Sequence, residues 1–328
     1  MELGRDRGRK WFARFAWALL AYNVPVILWG AYVRISFSGD GCGAHWPFCN
    51  GQVVPQHMAA PMAIEFAHRM MTSLDSIGTI ALCAWAFLAF PRKNAVRFYA
   101  VLSLVFLFIE AILGAGLVLL RYVAHDQSAG RAVYLSAHLT NTMLLLGALT
   151  ITAWLAGSGR TSAGLSHLSP KLWGAVSVTV FVSITGAITA LGDTLFPASS
   201  LAAGLRQDWA SASSLLLRLR VVHPAIAIAG AVYLIWVAIA FMRRNDKAGA
   251  RRAGARVITV TVFQVAAGVI NVTLLAPVWI QLFHLLMADV LWIVVVLMVV
   301  EAAGQGRIGG DSEAERAPEL VASKAASV

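Results

Sequence analysis

The sequence predicts an all-α membrane protein, with eight transmembrane helices arranged as two pseudo-symmetric four-helix bundles. Three observations carry that expectation. Hydrophobic residues make up 59% of the 328 and charged residues only 13%, and the mean hydropathy is +0.72, well outside the range of soluble domains. Eight apolar runs meet or approach the ~20 residues that a helix needs to cross a bilayer core. Distinctive residues then recur about half a chain length apart, the signature of an internal repeat.

The first span, Phe15 to Ser36, follows the basic cluster Arg5, Arg7, Arg9, Lys10 and Arg14. It is too long for a signal peptide and lacks a small-residue cleavage site, so it is expected to be a retained helix. The second, Ile64 to Phe90, carries Glu65, His68 and an inert apolar Cys83; the third, Arg97 to Leu120, carries Glu110 and Gly114. The fourth, Ala132 to Leu155, holds His138, and the fifth, Leu172 to Leu191, holds Gly186. The sixth, Leu215 to Met242, contains His223-Pro224; the seventh, Val257 to Leu275, contains Gln264 and Gly268; the eighth, Val278 to Val300, contains His284. The two longest connections, Phe37 to Ala63 and Gly192 to Ser214, are too short for a soluble domain.

The net charge of +10 does not point to nucleic acid, because the basic residues occupy alternate loops rather than one face. Arg92, Lys93 and Arg97 join spans two and three, Arg160 and Lys171 join four and five, and Arg243, Arg244, Lys247, Arg251, Arg252 and Arg256 join six and seven. By the positive-inside rule both termini are cytoplasmic, in a multi-pass protein of the cell inner membrane. The tail from Gly304 to Val328, rich in Ala, Ser, Gly and charge, is expected to be disordered.

Gly30-Ala31 matches Gly186-Ala187 at an offset of 156, and His68 matches His223 at 155. Glu110 with Gly114 matches Gln264 with Gly268 at 154, and His138 matches His284 at 146. An even number of spans per half makes the repeat parallel, related by an axis along the membrane normal. The expected organisation is an N-terminal half at 1–160, a C-terminal half at 161–303 and the tail at 304–328.

Each half contributes a histidine from its second span and one from its fourth, all entering from outside at similar shallow depth. Two histidines facing across a four-helix bundle suit axial ligation of a heme iron. A single membrane histidine is more often a hydrogen-bond partner between helices; four at repeat-related positions favour ligands. Zinc or copper sites gather more ligands at one point. His45, His57, His125 and His167 fall in loops and read as solvated surface residues.

Glu65 precedes His68 by three residues and so shares its helix face. It is either an acid acting on the edge of a ligand or one favoured by the positive end of the helix dipole. Arg220 occupies the matching position in the second half, so the halves are chemically unequal. Arg34, Arg69, Arg131, Arg218 and Arg220 lie near the outer helix ends, where they suit bidentate pairing with heme propionates or snorkelling to the interface. Cys42 and Cys49 lie in the first outer loop, as a structural staple or a redox-active pair. Asp75, Glu110, Asn141, Gln264, Asn271 and Asp289 within spans are proton-path members or helix contacts.

The stretch Gly39 to Gly51, with Gly-Cys-Gly, Trp46-Pro47 and Cys49, followed by Glu65-Phe66-Ala67-His68-Arg69, resembles the heme A synthase family of eight-helix membrane proteins. The likeness takes in His138, His223-Pro224 and His284, and departs from the family pattern at Phe66 and His45. It implies an oxidoreductase that converts the C8 methyl of heme O to the formyl of heme A by successive hydroxylation, for terminal oxidase assembly. By the same resemblance His68 and His138 hold the substrate heme, Glu65 is the essential acid, and His223 and His284 ligate a permanent heme b. The implied partners are heme O, an upstream heme O synthase (a protoheme farnesyltransferase), an unidentified electron donor and the lipid bilayer; a homo-oligomer is left open. The rival readings are a di-heme b-type cytochrome that only transfers electrons, and a heme or metal transporter.

Overall fold

The computed structural model describes the backbone of residues 2–209, 215–245 and 247–325, and the side chains of 7–166, 168–209, 216–245 and 247–304. The His167 side chain and the end of the second long connection lie outside the described residues. Among the described residues there are nine α-helices and no strand: α1 (Glu2–Ile35), α2 (Ala60–Ala89), α3 (Ala95–Leu119), α4 (Ala129–Ser158), α5 (Pro170–Leu195), α6 (Leu201–Asp208), α7 (Leu215–Arg243), α8 (Ala248–Thr273) and α9 (Val278–Ala325). All but α6 are long and apolar enough to cross a membrane.

Several helices outrun their apolar stretches. α1 takes in the basic cluster at Arg5 to Arg14, and α8 takes in Arg251, Arg252 and Arg256, which the sequence placed in a loop. Hydropathy marks where a chain enters lipid, whereas Arg, Lys and Ala extend a helix readily into water. α9 runs on as helix to Ala325, through the stretch whose composition predicted a disordered tail, in spite of Gly304, Gly306, Gly309, Gly310 and Pro318. The ends follow local chemistry. Asn94 accepts from the Val96 N–H to start α3, Ser128 accepts from the Arg131 N–H to start α4, and Gly159, at φ +72°, ends α4 in a left-handed turn. The short α6, not anticipated from hydropathy, starts from a Ser200 cap on the Ala203 N–H.

α1 packs on α2 and α4, α2 on α3, and α3 on α4; in the same neighbour order α5 packs on α7 and α9, α7 on α8, and α8 on α9. Two buried clusters form, one among α1–α4 joined by Trp292, Val296 and Val300 of α9, the other among α5, α7, α8 and α9. The first is built from residues such as Phe12, Leu82, Val96, Leu146 and Leu149, and the second from Ala175, Val237, Val257, Val295 and Met298. The sets join where α4 meets α5 and α9, and α1 meets α9. There the buried Trp292 indole donates to the Met143 carbonyl at 2.6 Å, with Gly147 leaving room for the ring. Apolar residues such as Ile77, Leu88, Phe108, Val232 and Val269 face outward, as the exterior of a lipid-embedded bundle requires. Buried Thr150, Thr152, Thr179 and Thr261 each satisfy their hydroxyl on the carbonyl four residues back.

Candidate functional site

The helices that carry the four histidines, α2, α4, α7 and α9, all begin at the end away from the basic clusters, here the distal end. His68, His138, His223 and His284 stand six to nine residues beyond the first residue of their helices, about 9–14 Å along the axis at the rise of an α-helix. His68 lies within electrostatic reach of His138, and His223 within that of His284. Each histidine thus lies near its counterpart from the same half.

A glycine on the preceding helix backs every ring. A Cβ at Gly30 of α1 would lie 2.9 Å from Cε1 and 3.1 Å from Nε2 of His68, and one at Gly186 of α5 would lie 3.0 Å from Cε1 of His223. Gly114 of α3 stands in the same relation to His138 at 3.7 Å, and Gly268 of α8 to His284 at 3.1 Å. These are the glycines that recur in the repeat; at Gly30, Gly186 and Gly268 a side chain would crowd Cε1 of the ring, whereas at Gly114 a Cβ would make only ordinary contact. Trp29 and Tyr22 hold α1 against α2 around Gly30, donating to the carbonyls of Ile64 at 3.0 Å and Met71 at 3.2 Å.

The other ring nitrogens differ from site to site. Thr185 lies 2.9 Å from Nδ1 of His223, and the Glu110 carboxylate lies 3.4 Å from Nδ1 of His138. Gln264 lies 3.4 Å from Nε2 of His284, while Nδ1 of His68 is buried without a partner among the described residues.

Glu65 is 3% exposed and fully engaged: one oxygen accepts from the Cys42 N–H at 2.8 Å, the other from Arg69 at 2.5 Å. Arg69 in turn donates to the carbonyls of His45, Pro47 and Phe48. The distal loop between α1 and α2 is thereby tied to the helix that carries His68. A disulfide joins Cys42 to Cys49, and both are buried. Gly41 has to be glycine, because a Cβ there would come within 2.5 Å of the Pro61 backbone, and Gly43 turns the chain at φ +63°.

A model of the COX15-CtaA family, described as cytochrome oxidase assembly protein, matches residues 13–296. The chain belongs to this family. Among curated relatives, a Protoheme IX farnesyltransferase of Thermus thermophilus is 40% identical over 296 residues, 90% of this chain and 49% of the relative. The Heme A synthase of Geobacillus kaustophilus is 38% identical over 113 residues, 34% of this chain and 35% of the relative. That of Exiguobacterium sibiricum is 30% identical over 162 residues, 49% of this chain and 53% of the relative. The chain spans about half the length of the curated relatives it matches, or less.

The residues of this COX15-CtaA chain fit heme. Nε2 of His68, His138 and His223 makes no hydrogen bond among the described residues, and the Gln264 contact to His284 is long and readily given up. Glycine at positions 30, 186 and 268 leaves the Cε1–Nε2 edge of the neighbouring ring uncrowded. Gly30→Ala is therefore expected to push the His68 ring aside without disturbing the helices, since the ring ends a rotatable side chain. Heme retention in the first half should fall roughly 10–100-fold, the range for changes just behind a metal ligand. Heme per polypeptide in purified protein reads this out, with Gly157→Ala, which meets nothing within 4 Å, as the control. Unaltered heme content in Gly30→Ala would remove the glycine's role.

The distal arginines are satisfied by the chain itself. Arg34 donates to the Ala190 carbonyl and the Thr194 hydroxyl of α5, bridging the halves. The buried Arg131 donates to the carbonyls of Ala124 and Asp126. Arg220 binds Asp208 at 2.5 Å and the Phe196 carbonyl at 3.0 Å, with Asp193 at 3.6 Å. Arg218 is exposed. The sequence offered propionates as partners for these groups but did not find Asp193, in the last turn of α5, and Asp208, at the end of the unanticipated α6. Glu65 and Arg220, at the same register, both tether a distal loop, with opposite charge. Arg220→Ala strands two largely buried carboxylates and is expected to cost ~3–5 kcal/mol, as breaking a buried pair does. Proteolysis of the segment at α6 should rise accordingly; resistance equal to wild type would class the pair as a weak surface bridge.

Thr185 and the partnership of Glu110 with His138 also escaped sequence reasoning. Thr185 adjoins the repeat glycine Gly186, and Glu110 lies one turn from Gly114 on the same face; that adjacency was the available signal.

Proposed function

We propose that this chain is a heme A synthase, which oxidises the C8 methyl of heme O to the formyl of heme A by two successive hydroxylations. The observation that carries the reading is the family match together with two histidine pairs, three of whose rings keep an uncrowded Cε1–Nε2 edge. His68 and His138 would hold the substrate heme, and His223 and His284 a resident heme b. The bound heme b supplies one-electron chemistry that no side chain offers. The protein's own part is to orient the two planes with the four imidazoles and to close the distal end with the loop at Cys42–Cys49. Glu65 is held by Cys42 and Arg69 one turn above His68, where it stabilises positive charge developing at the substrate edge or moves a proton there. The disulfide, with both cysteines buried, acts as a staple that keeps the Cys42 N–H on Glu65.

The chain sits in the inner membrane with both termini cytoplasmic, following its basic loops. About half of the Thermus relative lies outside the match. We assign the farnesyltransferase named there to that unmatched part, and expect an activity of that class to supply the substrate here. The electron donor is a further, unidentified partner.

A di-heme cytochrome that only transfers electrons is favoured by one observation: Glu65 already has a structural task in tying down the loop. The deciding experiment expresses the chain, with an electron donor supplied, in a bacterium that makes heme O and no heme A, followed by pigment extraction and mass spectrometry. Heme A or its hydroxylated precursor supports the synthase. Bound heme B with heme O untouched supports the electron carrier.

A further inference from the structure

The Glu110 side chain of α3 is gripped by the helix that carries His138. Asn141 donates to one carboxylate oxygen at 2.6 Å, and the Thr142 hydroxyl donates to the other. Asn141 also reaches the Phe106 carbonyl one turn back along α3, and Thr142 the His138 carbonyl. The clamp leaves Glu110 Oε1 3.4 Å from His138 Nδ1, which has no hydrogen-bond acceptor closer among the described residues. At the matching register of the second half stands Gln264, a neutral amide, and it approaches the other nitrogen of its histidine. The repeat therefore preserves a polar partner beside the fourth-span histidine while changing its charge.

We infer that Glu110 is a positioning residue for His138, accepting from Nδ1–H so that the ring presents Nε2 to the iron as a strong donor. A carboxylate behind a ligating imidazole fixes its tautomer and raises its basicity; an amide does neither to the same degree. The heme held by the first half is accordingly the more electron-rich of the two, with the lower reduction potential. The inference rests on the heme sites of the proposed function, and goes beyond them in assigning the asymmetry between the halves to the pair Glu110 and Gln264. A carboxylate that only clamped α3 to α4 would hold the helices together without altering either potential.

The test is a redox titration of the purified holoprotein in lipid nanodiscs, followed through the heme absorption bands, for wild type, Glu110→Gln and Gln264→Glu. Glu110→Gln keeps an oxygen for Thr142 and is expected to make one heme easier to reduce by about tenfold, which is 59 mV for one electron. The displaced wave should be the one missing from His68→Ala. Gln264→Glu, whose side chain approaches Nε2 rather than Nδ1 of His284, should lower the other wave through the added charge alone, and does so independently of whether Glu110→Gln packs normally. Waves that stay in place in Glu110→Gln overturn the inference while leaving the heme sites standing. If His68→Ala loses no heme from the wild-type complement, the first-half site itself is wrong, and the inference falls with it.

Discussion

Glu65→Gln is expected to lower conversion of heme O at least ~100-fold while leaving both hemes bound and the distal loop in place, since a positioned acid or base contributes about 10²–10⁴ to a rate. Glutamine is nearly isosteric with glutamate, and its carbonyl oxygen still accepts from the Cys42 N–H. What disappears is the charge facing Arg69, and that guanidinium keeps the carbonyls of His45, Pro47 and Phe48. The structural loss is therefore limited to one charged hydrogen bond, ~1–3 kcal/mol. Glu65→Ala removes both contacts and is expected to release the loop as well, visible as protease cleavage between α1 and α2. The two variants separate the tasks that the geometry assigns to one side chain. A Glu65→Gln protein that converts heme O at the wild-type rate, beside an inactive Glu65→Ala, would show a tether and nothing more, and would move the function toward the electron carrier.

The spans and the special status of the first distal loop were legible because each leaves a one-dimensional trace. Hydropathy marks spans, and a repeat makes His68 and His223 visible together. Partners across helices leave no such trace. Nothing in the spacing says that Arg220 meets Asp208, because the connection through α6 and its approach to α7 are set by tertiary packing. Gly30 and Gly186 could be seen to recur, but their purpose depends on which face of α1 and α5 meets which ring. The ends of α1 and α8 differ from the hydropathy boundaries for the reason already seen: polarity and helicity are separate properties of Arg and Lys. Glu65 is the instructive case. Its position three residues before His68 reads as chemistry or as a favourable helix start, whereas the structure adds a third task, holding the backbone of Cys42.

His223→Ala is expected to empty the second half of heme, to leave heme in the first, and to reduce conversion of heme O by more than ~100-fold, since the lost centre supplies the one-electron chemistry. The expectation of selective loss follows from the packing. The two buried clusters share only α9 among the spanning helices that supply their fully buried residues, and α7 contributes such residues to the second alone. Pigment analysis should then show one heme fewer per polypeptide, with the remainder sensitive to His68→Ala and not to His284→Ala. Loss of heme from both halves would mean that the ligand pairs are coupled. The contact to suspect is the Trp292 indole on the Met143 carbonyl, which joins the two helices that carry His284 and His138, one to two turns beyond those residues. Trp292→Phe, which keeps the ring and drops the donor, then decides the matter: if selective loss returns in the double variant, that hydrogen bond transmits the collapse of one site to the other.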